Sequence, residues 1–351
     1  MRPLKHIFPV LLLSAWSNWA CADLKGISFQ HEDWELYCSN IGTCQAAGYQ
    51  AEDGTENPVS LLFTRKAGAQ QPISIEFALG DGFEEVKSSQ LKNVHLYVNG
   101  EDLGAVQGDG VEAPILGQLN KIQTQKILNN ATKSVDIRFK NASLEWVISD
   151  RGMTAVLLKM DDFQKRIGTV GALVKKGSVN EAQVLSAQPK RVVKRVKVTN
   201  TPYLILQPKQ KAYETLQQKL MAVLPKDIEC DGYYDGDALK AQPIALYKLS
   251  NQKVMAMTPC WRGAYNEGAG VWVLDDAFKK ASFVTDQASD YDAGTLNSAQ
   301  KGRGVGDCWA SAEWVWDGRN FVQTVDRWSG MCKGLAAGGV WGLDLIEATV
   351  K

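Results

Sequence analysis

The chain has 351 residues with 39 basic and 39 acidic side chains, and 45% of its residues are hydrophobic while 22% are charged. This composition excludes a largely disordered or collagen-like chain, and the balanced charge excludes a protein-wide basic field for nucleic acid. The length favours two domains.

The N-terminus has the pattern of a secretory signal peptide. Arg2 and Lys5 precede an apolar run over residues 7–15, and Ala20-Cys21-Ala22 supplies a small-x-small cleavage site. We predict that residues 1–22 are a signal peptide, cleaved after Ala22, and that the protein is periplasmic; a lipoprotein anchored through Cys21 is the alternative. The apolar run is too short to span a bilayer, and no later stretch predicts a transmembrane segment.

The cysteine count supports export. Removal of residues 1–22 leaves six cysteines, an even number, as an oxidising compartment favours. Proximity in the sequence predicts the pairs Cys38–Cys44, Cys230–Cys260 and Cys308–Cys332. A thiol–disulfide enzyme is the alternative, but it needs a close pair with an activated thiol, and no C-x-x-C occurs. We therefore expect structural cystines.

Residues 23–180 are predicted to form an N-terminal α+β domain. Alternation over 34–38, a short connection containing Asn40 and Gly42, and then Cys44 predict a disulfide-clamped hairpin. Helices among consecutive strands favour the α+β class over alternating βαβ units. The remaining predicted elements are strands at 59–65, 73–78 and 94–98 and helices at 118–129 and 153–167.

Residues 181–212 are predicted to be a linker that contains a basic strand. Its candidate binding residues are Lys190, Arg191, Lys194 and Arg195, interleaved with valines. One interpretation is an edge strand that charge protects against pairing with another chain. The other is a docking strip for an anionic surface, such as lipid head groups or an acidic partner.

Residues 213–351 are predicted to form a mainly antiparallel β domain with disulfides. A helix over 213–224 is stopped by Pro225, and seven tryptophans follow it. Trp314 and Trp316 project from the same face of one strand because side chains alternate. That face is either the core of a cystine-stapled domain or an exposed aromatic platform for sugar rings or a partner protein.

The loop 302–307 is the most unusual segment, since glycine occupies every second position. Its backbone N–H groups and Arg303 are suited to an anion. Alternatively, the loop is a tight turn before Cys308 in which Arg303 pairs with Asp307. Arg303, Asp307 and the adjoining Trp309 are therefore candidate binding residues.

The sequence offers no catalytic motif. Only His31 and His95 remain after the signal peptide, too few for a three-histidine zinc site, and neither H-E-x-x-H nor G-x-S-x-G is present. We assign no catalytic, cofactor-binding or metal-ligating residue and expect no cofactor.

Several motifs occur together in a familiar order. They are the Cys38/Cys44 hairpin with Ala46-Ala47-Gly48-Tyr49, Ser149-Asp-Arg-Gly-Met-Thr-Ala-Val-Leu-Leu-Lys-Met-Asp161, Gly263-Ala-Tyr-Asn266, Lys301-Gly-Arg-Gly-Val-Gly-Asp-Cys308 and Trp314-Val-Trp-Asp-Gly318. With these motifs the mature chain resembles the bacterial domain-of-unknown-function 1176 family over nearly its whole length. The resemblance implies a bacterial exported protein and supplies neither an established activity nor catalytic residues.

We expect a two-domain, strand-rich α+β protein that acts as a non-enzymatic binding or interaction module of the cell envelope. Its expected partner is an unidentified envelope protein or glycan, and not nucleic acid. The alternative is a glycan- or peptidoglycan-directed enzyme or a glycan-binding protein. Exposed tryptophans flanked by two carboxylates at a suitable distance would favour this alternative, whereas tryptophans buried in the core, with no cleft, would favour protein interaction.

Overall fold

The computed structural model describes residues 24–52, 57–81, 92–109, 112–230, 232–235 and 238–351. The predicted signal peptide, including Cys21, lies outside these residues. The described chain is strand-rich α+β with mainly antiparallel sheets, as the sequence predicted. No helix in these ranges is both long enough and apolar enough to cross a membrane.

The first half of the chain, residues 24–183, is built on a seven-stranded antiparallel sheet. The predicted hairpin is present, with Cys38 directly opposite Cys44. Val59, Leu61 and Phe63 point to one face of their strand and give the sheet an apolar side. The strands lie in the order β1 (Ile27–His31), β2 (Trp34–Cys38), β3 (Cys44–Tyr49), β4 (Val59–Arg65), β5 (Ile73–Leu79), β9 (Ile115–Gln118) and β8 (Gly108–Asp109).

A four-stranded sheet covers that apolar side. Phe77 of the larger sheet contacts Phe139 of the smaller one, with ring centroids 5.3 Å apart, and both belong to one continuous core. The first half is therefore two sheets packed around a shared interior. The strands of the smaller sheet lie in the order β11 (Glu145–Ile148), β10 (Ile137–Lys140), β6 (His95–Val98) and β7 (Glu101–Ala105).

Two helices complete this half, α1 (Lys121–Asn130) and α2 (Met153–Phe163). The helix predicted from residue 118 begins later because Asn120 caps it. The Asn120 side chain accepts the N–H of Gln123, and the Gln123 side chain accepts the N–H of Asn120. The second helix ends earlier than predicted, and Lys165 beyond it has a left-handed backbone, with φ 56°.

A buried charge cluster anchors the chain that follows α2. The guanidinium of Arg166 is fully buried and donates to Glu181 and, at 2.9 Å, to Gln164 Oε1. Arg65 lies 3.7 Å from Asp161 and 3.8 Å from Glu181. Two cations and two carboxylates thus neutralise one another inside the first half.

The second half of the chain, residues 191–351, is a sandwich of two sheets. One has the order β12 (Arg191–Val193), β24 (Leu343–Val350), β23 (Phe321–Trp328), β22 (Trp309–Trp316), β21 (Thr295–Lys301) and β20 (Asp290–Asp292), with β12 parallel to β24. The other has the order β13 (Leu204–Leu206), β16 (Ile244–Lys248), β17 (Lys253–Arg262), β18 (Glu267–Asp275) and β19 (Ala281–Ala288). A separate pair is formed by β14 (Tyr233–Asp235) and β15 (Ala238–Lys240). The segment 181–212, predicted as a linker with one strand, therefore supplies an edge strand to each sheet.

The second half has three layers. The five-stranded sheet carries α3 (Lys211–Met221) on one face, where Leu216 and Leu220 enter a hydrophobic core. Its other face meets the six-stranded sheet, where Trp316 packs with Val271 and Met255. The five-stranded sheet is thus covered on both sides.

The six cysteines form the three pairs that the sequence predicted, Cys38–Cys44, Cys230–Cys260 and Cys308–Cys332. The first clamps the β2–β3 hairpin, the second ties the chain after α3 to β17, and the third joins the start of β22 to the chain after β23. Cystines throughout a chain are typical of an oxidising compartment, which fits an exported protein.

We predict that Arg166→Ala lowers the free energy of unfolding by about 3–5 kcal/mol, because it leaves Glu181 buried without its nearest cation. Chemical denaturation at neutral pH measures the loss. Arg138→Ala is the matched control: Arg138 contacts two carboxylates at 2.7 and 3.2 Å, but its side chain is 39% exposed. Its removal should cost less than about 1 kcal/mol. Equal losses in the two variants would contradict the importance of burial.

Candidate functional site

The two halves meet at a buried carboxyl group, Glu35, which is 3% exposed. Its Oε1 atom accepts a hydrogen bond from Tyr49 Oη at 2.6 Å and one from the backbone N–H of Met331 at 2.9 Å. Burial raises the pKa of Glu35 to about 7, although these hydrogen bonds oppose the rise. A group that titrates near neutral pH therefore lies at the contact between the halves.

The other side of this contact is the chain between β23 and β24, residues 329–342, which we call the docking segment. Its Lys333 lies 3.3 Å from Asp33 Oδ1, and the indole N–H of Trp341 donates to Ser60 Oγ at 2.8 Å. Leu335 of the segment packs on the outer face of the seven-stranded sheet. The docking segment thus covers a sheet face of the first half with both polar and apolar contacts.

An open cleft of about 410 Å³ lies beside Glu35, with Tyr37, Trp328 and Lys333 among its walls. Burial and the nearby carboxylates raise the pKa of Tyr37. Burial and a neighbouring carboxylate also raise the pKa of Asp326, on β23. Aromatic walls, a lysine and a carboxyl that titrates near neutral pH can bind a polar ring or donate a proton.

The glycine-rich loop 302–307 is closed by its own side chains. Arg303 donates to both carboxylate oxygens of Asp307 at 2.7 and 2.5 Å, and Asp307 also accepts the N–H of Gly334 in the docking segment at 2.7 Å. Burial opposes ionisation, but these hydrogen bonds hold the pKa of Asp307 below its usual value. The indole N–H of Trp309 donates to a carbonyl of the loop at 2.9 Å. The structure therefore has the tight turn with the Arg303–Asp307 pair.

The tryptophans considered as an aromatic platform face inward. Trp314 and Trp316 share one side of β22, but that side packs against the five-stranded sheet. Trp316 is fully buried and its indole N–H donates to Ser250 Oγ at 2.9 Å. Trp316 is therefore a core residue that a ligand cannot contact. All nine tryptophans within residues 24–351 are buried or partly buried.

The basic strand, in contrast, is exposed. β12 is the outermost strand of its sheet, and Lys190, Arg191, Lys194 and Arg195 all face solvent. Lys190 pairs with Glu347 at 2.7 Å; within the part of the chain that the structure describes, the other three make no ion pair. The strand is therefore a charged edge whose cations are available to a partner.

A groove of about 720 Å³ borders the basic strand. Arg191 and Lys25 contribute its cations, and Val322 and Ala348 contribute apolar surface. The carboxylate of Glu347, which pairs with Lys190, also lines the groove, as do four amide side chains, those of Asn40, Gln188, Asn320 and Gln323. This combination of cations, amides and apolar carbon suits an anionic ligand that also has an apolar part.

The described residues bring one set of metal-type ligands together, Asp307, Cys308 and Cys332. The two cysteines form a disulfide and supply no thiolate. Asp307 is already bonded to Arg303 and to the docking segment. This cluster is therefore a structural joint and not a metal centre.

Sequence reasoning missed the residues at the contact between the halves. Glu35 lies between Trp34 and Leu36, both in the core, and this alternation predicts that Glu35 faces solvent. It is buried instead by Met331, 296 positions further along the chain. No local pattern signals that contact, although Tyr49 lies within one of the motifs that carried the family resemblance.

The chain belongs to the family described as protein of unknown function (DUF1176), whose model matches residues 28–346. It is similar to the uncharacterized protein YpfG of Escherichia coli (strain K12), with 25% identity over 355 residues that cover 92% of this chain and 95% of that protein. No solved structure matches the chain. The family expected from the motifs is confirmed.

We predict that Glu35→Gln removes part of the pH dependence of stability. A carboxyl with a pKa of about 7 in the folded protein, against an ordinary 4.5, binds its proton more tightly when folded. The free energy of unfolding of the wild type should therefore fall by about 3 kcal/mol as the pH rises through this range. The amide accepts the same hydrogen bonds without ionising, so the variant should be more stable than the wild type above neutral pH.

Chemical denaturation from about pH 4 to about pH 8 measures this difference. Glu52→Gln, at a side chain that is 84% exposed, is the control and should follow the wild-type curve. If Glu35→Gln also follows the wild-type curve, burial does not raise the pKa of Glu35 in the folded protein.

We predict that Arg303→Ala lowers stability by about 1–3 kcal/mol, because the buried Asp307 carboxylate keeps the N–H of Gly334 but loses both guanidinium donors. Denaturant titration measures the change. Lys301→Ala, at a cation stacked over Trp309, is the control and should stay within about 0.5 kcal/mol of the wild type. If Arg303→Ala is as stable as the wild type, the Arg303–Asp307 pair is not needed for stability, and the loop 302–307 is again a candidate binding site.

Proposed function

We propose that the protein is an exported, periplasmic, non-enzymatic binding module of the cell envelope that engages an anionic partner through its basic strand. The observation that carries the proposal is the exposed, unpaired set Arg191, Lys194 and Arg195, of which Arg191 lines the 720 Å³ groove. Unpaired cations on one edge attract an anionic partner and orient its approach.

The inward orientation of the tryptophans supports binding of a protein rather than of a glycan. A platform for sugar rings needs exposed aromatic faces, and the side shared by Trp314 and Trp316 is turned into the sandwich. Trp341, on the docking segment, is also engaged within the chain through Ser60. Trp314, Trp316 and Trp341 are therefore used for packing within the chain.

The buried carboxyl groups support a non-enzymatic role. Glu35 and Asp307 accept backbone N–H groups of the docking segment, from Met331 and Gly334. A general acid must reach the substrate atom to which it gives a proton. Glu35 Oε1 and both carboxylate oxygens of Asp307 are used for hydrogen bonds within the chain.

A glycan- or peptidoglycan-directed enzyme, or a glycan-binding protein, is the second candidate. One observation favours it: the 410 Å³ cleft combines Trp328 and Tyr37 with Glu35, whose pKa of about 7 is in the range that glycosidases use for their acid. We rank it second because Glu35 is 3% exposed and already bonded on Oε1.

We predict that a photo-crosslinking residue at Val192, which is 57% exposed on the basic strand, captures a partner of the exported protein in living cells. The matched control is the same residue at Ile122, which is 75% exposed on α1 and should capture less. Lys194→Glu with Arg195→Glu should reduce capture at Val192 at least tenfold, because it reverses the charge of the basic strand. Lys121→Glu with Lys133→Glu, which changes the net charge equally at exposed sites on the first half, should not.

Mass spectrometry of the captured material identifies the partner. Equal capture from the two charge-reversed proteins would contradict an anionic partner at the basic strand. Capture of cell-wall glycan alone, unaffected by either pair of substitutions, would favour the second candidate.

A further inference from the structure

A second groove lies on the outer face of the five-stranded sheet, away from the basic strand. It has a volume of about 570 Å³ and runs between α3, the edge strand β13 and the turn that joins β18 to β19. Its floor is apolar and is formed by Leu204, Leu206, Leu216, Leu246 and Phe278. The volume is that of a site for one small ligand.

The groove exists because α3 covers only part of this sheet face. Leu216 and Leu220 attach the helix to the sheet and are buried. Leu204 on the edge strand is left 43% exposed, although it shares a face with Leu206, which is buried. Exposure of a concave apolar surface to water is unfavourable, and such a surface is often covered by an apolar ligand or partner.

Positive charge lines the helix side of the groove. Lys211, Thr215 and Lys219 follow one another at intervals of four residues and so lie along one stripe of α3. The acidic residue of this helix, Glu214, projects about 100° around the helix from Thr215 and is not part of the stripe. Lys219 Nζ donates to the carbonyl of Phe278 at 2.8 Å, which holds this lysine at the groove.

We propose that this groove binds the hydrocarbon chain of a free long-chain fatty acid, with its carboxylate paired to a lysine of the α3 stripe. The apolar floor removes the chain from water, and the cations on the rim complement the one charge of the ligand. The proposal goes beyond envelope binding through the basic strand, since it concerns another sheet and another ligand chemistry.

The shape of the groove favours a free fatty acid over a membrane surface or a peptide. Membrane insertion uses apolar side chains that protrude into the bilayer, whereas this surface is concave. A peptide needs partners for its backbone groups in addition to an apolar floor, and the polar side chains of the lining are Lys211, Thr215 and Lys219. Two cations and a hydroxyl match a carboxylate better than they match an amide chain.

Calorimetric titration of the mature protein with dodecanoate, below its micelle concentration, tests the proposal. We expect saturable binding of one molecule per chain, with affinity that increases roughly fourfold for each methylene added between octanoate and dodecanoate. Dodecyltrimethylammonium, with the same chain and the opposite charge, should bind at least tenfold more weakly.

Two pairs of variants locate the site. Leu204→Asp should weaken dodecanoate binding at least tenfold, whereas Ile205→Asp should not, because Ile205 is 49% exposed on the same strand but alternates onto the opposite face. Lys211→Glu should weaken binding, whereas Lys226→Glu, at an exposed lysine beyond α3, should not. Circular dichroism of all four variants establishes that they are folded.

Three results would overturn the proposal: no saturable binding of dodecanoate, equal binding by Leu204→Asp and Ile205→Asp, or equal binding of the cationic amphiphile. Binding to anionic lipid vesicles that Leu204→Asp abolishes, with no binding of free dodecanoate, would replace the fatty acid with a membrane surface. Lys194→Glu with Arg195→Glu should leave dodecanoate binding unchanged, so failure of this proposal and failure of the proposed envelope function are separable.

Discussion

The two halves of the chain are joined by a short run of the docking segment, in which four consecutive residues each bond to a different anchor. The contacts are Met331 with Glu35, Cys332 with Cys308, Lys333 with Asp33, and Gly334 with Asp307. Anchors from the two halves alternate along this run. A hydrogen bond lost at a buried carboxyl is costly, and a shift of the run by even one residue would break its bonds to the buried Asp33, Glu35 and Asp307. The register of the docking segment therefore fixes how the two halves are placed.

The contacts of the docking segment use polar groups that would otherwise be available to bind a ligand. The loop 302–307 has the charges and glycines of an anion site, but Arg303 and Asp307 neutralise each other while they hold the docking segment. Glu35 has a raised pKa in a cleft, a feature often found at active sites, yet its Oε1 atom serves the same segment. Arg191, Lys194 and Arg195 of the basic strand and the lysines beside α3 lie outside this network of contacts. We therefore place the proposed binding functions at the edge strands β12 and β13 rather than at the glycine-rich loop 302–307.

The features that could be predicted from the sequence are those that depend on residues close together in the chain. The Cys38–Cys44 hairpin could be predicted because its turn, its alternation and its disulfide all lie within a few residues of one another. The face shared by Trp314 and Trp316 was also predictable, but whether it meets solvent or a second sheet depends on β17 and β18, which no pattern in β22 specifies. Glu35 was beyond prediction for the same reason, since its partner Met331 is 296 residues away. The fold class follows from the sequence, while the burial of polar groups follows from long-range packing.

The alternation of β22 also places the two proposed binding surfaces on opposite sides of the sandwich. Trp316 points between the sheets, so its neighbour Val315 points outward and joins Val193 and Val322 beneath the basic strand. The apolar groove lies on the outer face of the other sheet, under α3. Packed sheets are about 10 Å apart, and sites at this separation that share no residues act nearly independently. Under the two proposals, a partner docked on the basic strand therefore leaves the α3 groove open to an apolar ligand.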